Sequence, residues 1–161
     1  MDRVAISFLL IASLVGVSMA NRNWHYGWGS PKHKPHHPIS ENKINVGGSS
    51  NWTFGFNYAR WASKHGTFYV NDTLVFKYDA PSDKNIHPHS VYLLADWWSF
   101  KSCNMTNALK LADVSQGVGD GFRFKLEKWQ PYFFACGGGN GFHCNNGTMK
   151  FFVMPQFRRS Y

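Results

Sequence analysis

Acidic side chains are scarce in this chain: 9 Asp and Glu stand against 17 Lys and Arg, for a formal net charge of +8 at neutral pH. That imbalance directs attention to acidic partners such as a polyanionic polysaccharide, an anionic membrane surface or an acidic protein. Long apolar runs are scarce too. After Val4 to Val17 none reaches the ~20 residues a membrane-spanning helix needs. The C-terminal stretch Pro155 to Tyr161 has no hydrophobic tail, so a lipid anchor of that type is not expected. No nucleic-acid-binding motif occurs. Gly137–Gly139 is not read as a phosphate cradle, because no helix start is expected after it; the next landmarks are His143 and a cysteine. Cysteine is sparse and odd in number. Of three cysteines two can pair, so the third needs its own reason, as a metal ligand or a nucleophile.

Residues 1–20 read as a secretory leader: Met1-Asp2-Arg3, then the apolar run, then Ser18-Met19-Ala20 with small residues for cleavage. The rest, about 141 residues, suits one domain with one core. Asp2 and Arg3 cancel, so cleavage leaves the charge unchanged. The expectation is a secreted, extracellular monomer with no nucleic-acid partner. Four sequons, at Asn51, Asn71, Asn104 and Asn146, are compatible with that route and are the candidate glycosylation sites. Residues 21–42 carry four His among Pro and Gly and read as a flexible basic segment that binds a transition metal loosely or is simply solvated.

From Lys43 the texture changes. "TLVFKY" (73–78) alternates, and "HSVYLLA" (89–95) is β-branched and apolar. "GFRFKLEKW" (121–129) sets Phe122, Phe124 and Leu126 on one face and Arg123, Lys125 and Glu127 on the other. "YFFAC" (132–136) and "MKFFVM" (149–154) complete a series of short strands broken by turn residues. This predicts an all-β, antiparallel sandwich or barrel, with short helices only around 58–64 and 105–113. The domain is expected to span 43–156, followed by a short basic tail, 157–161.

The stretch from Cys136 to Met149 holds two cysteines, a histidine and a methionine around a glycine-rich bend. Read as extended chain, His143 and Cys144 point to opposite sides and serve different tasks. A second imidazole is available at His89, behind Pro88 at the head of a strand, with His87 as competitor; His65 reads as a surface residue. Two His, one Cys thiolate and a weak axial Met are the ligand types of a blue-copper electron-transfer site. Cys136 as a nucleophile, with His143 as base, is the competing chemistry.

Read together, "KINVGGSSNWTF", "YARWA", "FYVNDTLVFKYD", "HSVYLL", "SCN", "YFFAC", "HC" and "GTMKFFV" resemble the phytocyanins, the plant blue-copper cupredoxins, over about residues 43–155. The resemblance implies a Greek-key cupredoxin fold and one copper ion held by His89, Cys136, His143 and axial Met149. It also implies a Cys103–Cys144 disulfide. Six residues separate Cys136 from His143, more than is usual in that family, and a register one residue shorter would put Thr148 in the axial place. The implied function is electron transfer in the plant extracellular space, at the cell wall or plasma-membrane surface, with an unknown redox partner protein and without enzymatic turnover. The alternative is a copper-free, early-nodulin-like protein that contacts acidic wall polysaccharide.

Overall fold

The computed structural model describes residues 41–159. The leader and all but the last two residues of the 21–42 segment lie outside the described residues.

Seven strands form two sheets. One holds β1 (Lys43–Asn45), β2 (Thr73–Phe76) and β5 (Phe122–Lys125) in the order β1-β2-β5. The other holds β3 (Val91–Leu94), β4 (Leu109–Ala112), β6 (Tyr132–Ala135) and β7 (Lys150–Val153) in the order β4-β3-β6-β7. The second sheet is antiparallel throughout, but β1 pairs β2 in parallel, so the first sheet is mixed rather than antiparallel. Three short helices accompany the sheets: α1 (Tyr58–His65), α2 (Trp97–Ser102) and α3 (Phe142–Asn145).

The alternation in β5 is realised as expected: Arg123 and Lys125 are exposed, while Phe122 and Phe124 pack on the core and Leu126 is fully buried. In β2 every residue is buried, because it is the central strand of its sheet and is covered on both faces. The helix expected over 105–113 is absent. Residues 109–112 instead form β4 against β3, with a register irregularity at Val91/Tyr92. Leu-Lys-Leu-Ala satisfies a two-residue period as well as a helical one, and the free edge of β3 decides between them. The helix of this region lies earlier, at α2, where the Asp96 carboxylate caps the N-terminus by accepting from the Ser99 N–H (2.8 Å).

Burial organises the chain around β6. Tyr132, Phe134 and Cys136 enter the main core between the sheets with Trp52, Phe76 and Phe151. Phe133 and Ala135 point the other way, into a smaller core beneath α2 with Leu94, Phe100, Cys103 and Cys144. Successive side chains of a strand alternate faces, so one strand separates the lone cysteine from the other two. Trp52 is fully buried and its indole N–H donates to the Ser90 carbonyl (3.0 Å), tying the main core to the segment just before β3. The expected basic tail is partly anchored: Arg158 pairs with the buried carboxylate of Asp72 and lies over the Tyr69 ring.

Trp52→Phe is expected to lower stability by about 2–4 kcal/mol, through lost ring area and the lost N–H···O bond. A fall in the urea midpoint at unchanged slope checks this.

Candidate metal centre

Three segments converge at one end of the sheets. His89 and Ser90 precede β3, Cys136 follows β6, and His143 sits on α3. The Sγ of Cys136 lies 3.4 Å from Nδ1 of His143 and 3.9 Å from Nδ1 of His89, and the two Nδ1 atoms are 3.2 Å apart. Among the described residues these three form a group of metal-ligating side chains, with ligand atoms all within 4.8 Å of one another. The group is nearly sealed from solvent: Cys136 is 0%, His143 4% and His89 9% exposed.

His143 and Cys144 are not extended, as the sequence reading had them. They lie on α3, a single turn. The divergence survives, because consecutive helical residues point about 100° apart. His143 faces Cys136, while Cys144 forms a disulfide with Cys103 (S–S 2.00 Å) at the C-terminus of α2. Cys136 is the free thiol. A short helix thus does follow the glycine run, contrary to the sequence reading. The run is also not slack. A Cβ on Gly138 would stand 2.3 Å from Nδ1 of His143, and one on Gly137 would stand 2.4 Å from the Tyr92 ring. These glycines clear space for a ligand ring and for a neighbouring tyrosine. Backbone bonds from His143 N–H to the Gly138 carbonyl (3.1 Å) and from Met149 N–H to the His143 carbonyl (3.0 Å) pin the loop at both ends.

Met149 and Thr148 are distinguished by the fold. Thr148 is exposed, adopts φ 52°, and donates its hydroxyl to the Phe56 carbonyl (3.0 Å). Met149 is fully buried in the same core cluster as Cys136, and its carbonyl accepts the Cys136 N–H (2.9 Å). His87 is exposed, with its ring 6.4 Å from that of His143, and stays outside the ligand group. His65 is exposed on α1. A nucleophilic Cys136 is ruled against by burial, since a fully enclosed sulfur offers a substrate no line of approach. The four sequon asparagines, Asn51, Asn71, Asn104 and Asn146, are all exposed.

Two contributors escaped the sequence. The Ser90 N–H points at the Cys136 sulfur (3.5 Å), a backbone contact with no side-chain signature. Phe54 packs edge-on against His143 (5.4 Å) and stacks with Phe142 (5.8 Å), and both phenyl rings are about half exposed. Together with His87, His89 and Tyr92 they line an open groove of about 1140 Å³ over the site.

The electrostatics follow from burial. Desolvation, reinforced by neighbouring His143, depresses the His89 pKa to about 4. Desolvation, and then His87, lowers that of His143. Both imidazoles are therefore neutral at pH 7 and free to offer a lone pair. Burial raises the Cys136 pKa, opposed by N–H groups of Ser90 and Gly138, so without a cation the sulfur carries its proton.

The donor set fits a metal ion. Donors held ~2.0–2.3 Å from one ion in a trigonal arrangement stand about 3.5–4 Å apart, close to the distances found here. Thiolate plus two imidazoles is the softer set that suits copper over calcium or magnesium.

Comparison with known proteins agrees with this geometry. The profile of the family described as the plastocyanin-like domain matches residues 52–148. The chain belongs to that family. The phytocyanin resemblance read from the sequence is thereby borne out. Early nodulin-like protein 1 of Arabidopsis thaliana is 28% identical over 160 residues, covering 98% of this chain. The chain spans only 34% of that relative's length. Among solved structures, cucumber stellacyanin, described with Cu2+, superposes with a TM-score of 0.56 at 23% identity, over 74% of this chain and 99% of its own. Spinach plantacyanin aligns at 25% identity with a TM-score of 0.45, over 66% and 94%. The stellacyanin likeness establishes a cupredoxin fold.

For the metal-free protein, a histidine whose folded pKa lies below its unfolded value binds fewer protons folded than unfolded. Its stabilisation is present above pH ~6.5 and is lost as pH falls toward about 4. The unfolding free energy should drop by roughly 2–3 kcal/mol across that window, and His89→Asn should flatten the profile. Denaturant titrations at stepped pH measure both.

Proposed function

We propose that the chain is a secreted, mononuclear copper electron carrier without substrate turnover. The observation that supports it most is the enclosed group of one thiol and two neutral imidazole Nδ1 atoms on a rigid β frame. A copper ion held there would supply a one-electron couple. To hold it, Cys136 would give up its proton and offer a thiolate, and His89 and His143 would each offer an Nδ1 lone pair. Met149, buried in the same core cluster as Cys136, is proposed as a further, weak thioether donor. The N–H of Ser90 tempers the charge on the sulfur. The disulfide and the bonds of His143 to Gly138 and Met149 hold the loop that carries His143, which would limit movement of that donor around a bound ion. His143, which lines the groove and is flanked by Phe54 and Phe142, is the proposed point of electron exchange with a partner protein.

A second reading, a copper-free protein on the same fold, is favoured by one distance. The two Nδ1 atoms at 3.2 Å are close enough to hydrogen-bond to each other and satisfy the site without an ion.

Copper titration separates the two readings. Uptake should produce an intense visible thiolate-to-copper band and release about one proton at pH 7, because the bound thiolate replaces a buried thiol. Cys136→Ser should abolish the band, whereas Met149→Leu should shift it with copper retained. A protein that stays colourless after reconstitution supports the copper-free reading.

Gly138→Ala is expected to leave the sheets intact yet weaken copper binding by roughly tenfold or more, since its methyl occupies the space of the His143 ring. Competition with a chelator of known affinity reads the change.

A further inference from the structure

Helix α1 is cationic and uncompensated. Tyr58 and Ala62 face inward, while Arg60 and Lys64, one turn apart, share an exposed face. No acidic residue occurs between Asn42 and Asn71. Among the described residues neither Arg60 nor Lys64 takes part in an ion pair. A like-charged i,i+4 pair without an acid beside it weakens a helix slightly; Lys64 in the last turn suits the helix dipole, but Arg60 in the first turn opposes it.

An open groove of about 720 Å³ runs beside these two residues, bounded by Phe56, Asn57, Arg60, Trp61, Lys64 and His65. Every fully charged group lining it is a cation. Its apolar side is built on Trp61, which is half-buried and held edge-on against Phe151 (5.4 Å) and Phe68 (6.1 Å). The indole is therefore set in place before any ligand arrives.

We infer that this groove binds an acidic polysaccharide, with carboxylates on Arg60 and Lys64 and the apolar face of a sugar ring against Trp61. Charge complementarity selects an anion. The fixed aromatic selects a ligand with an apolar face as well as a charge, which a bare anion lacks. A single ring suits a sugar unit better than a run of stacked bases, which uses successive aromatic platforms. The inference rests on the extracellular reading of the chain but not on copper. The location has a consequence for the proposed redox centre. The groove wall at Gly55 and Phe56 is bonded to the ligand loop, through Gly55 N–H to the Gly147 carbonyl (2.8 Å) and Thr148 Oγ1 to the Phe56 carbonyl (3.0 Å). A polymer held here lies beside the loop that presents His143.

The test measures binding of the leaderless full-length chain to unesterified polygalacturonate at low salt. Arg60→Ala/Lys64→Ala should weaken binding by roughly tenfold and flatten its salt dependence, while an exposed, charge-matched control, Lys84→Ala/Lys128→Ala, should change it by less than about threefold. Fully methyl-esterified polymer should bind far more weakly. Cys136→Ser protein should bind as well as wild type, which separates this site from the copper reading. Equal loss in the two double variants would overturn the site. Tighter binding to a single-stranded oligonucleotide of matched charge, lost in the same variant, would overturn the ligand class.

Discussion

Strand β6 is covered on both faces, and that constraint sets the positions of most other parts. One face of the strand completes the core between the two sheets, and the other supports α2. Because side chains alternate, Cys136 emerges on the same side as Tyr132 and Phe134, while Phe133 and Ala135 share their cluster with Cys103 and Cys144. A one-residue slip of register would exchange these roles. The odd cysteine is thus kept out of the disulfide by the parity of a strand whose two faces are both occupied.

The disulfide works with that arrangement. It fastens α3, the turn that carries His143, to the end of α2, which packs on β3 and β6. Bridging residues 41 apart in sequence typically contributes several kcal/mol, about 2–4, by restricting the unfolded chain. Lys150 strengthens the same junction by donating to the carbonyls of Phe100 and Lys101 (3.0 Å each). The donor group is therefore braced on three sides: by β6 through Cys136, by the Trp52–Ser90 bond behind His89, and by the disulfide behind His143. Burial then tunes it, holding the imidazoles neutral and the thiol protonated. These conditions favour a cation that replaces one proton over an exposed salt bridge.

The surface divides accordingly. Aromatic rings that are half exposed, Phe54 and Phe142, gather over the donor group. Uncompensated cations gather on α1, on the far side of a wall formed by residues 54–56. Net basicity is a property of composition, but its concentration on one helix beside an apolar groove is a property of the fold. That difference separates general attraction to polyanions from a located site.

Much of the chemistry was legible in the sequence by itself. The strands at 73–76, 91–94, 122–125, 132–135 and 150–153 follow local alternation and β-branched composition. The helix at 58–65 follows its own periodicity, and the soft donors His89, Cys136 and His143 were recognisable by type. Each of these signals is carried within a few residues, so neighbours in sequence suffice to express it. Pairings between distant segments required the tertiary structure. Residues 109–112 became strand because β3 had an edge to fill. β1 ran parallel to β2 because the chain returned to it from a loop and a helix. Met149 rather than Thr148 turned inward, joining the core cluster of Cys136, while the exposed threonine donates its hydroxyl to the Phe56 carbonyl. Gly138 proved to be space for an imidazole, not slack in a loop, and Arg158 proved to be the partner of a buried carboxylate 86 positions away. Local sequence sets what a residue prefers, whereas contact across the core decides which preference is satisfied, because burial leaves few ways to pair every polar group and fill every space.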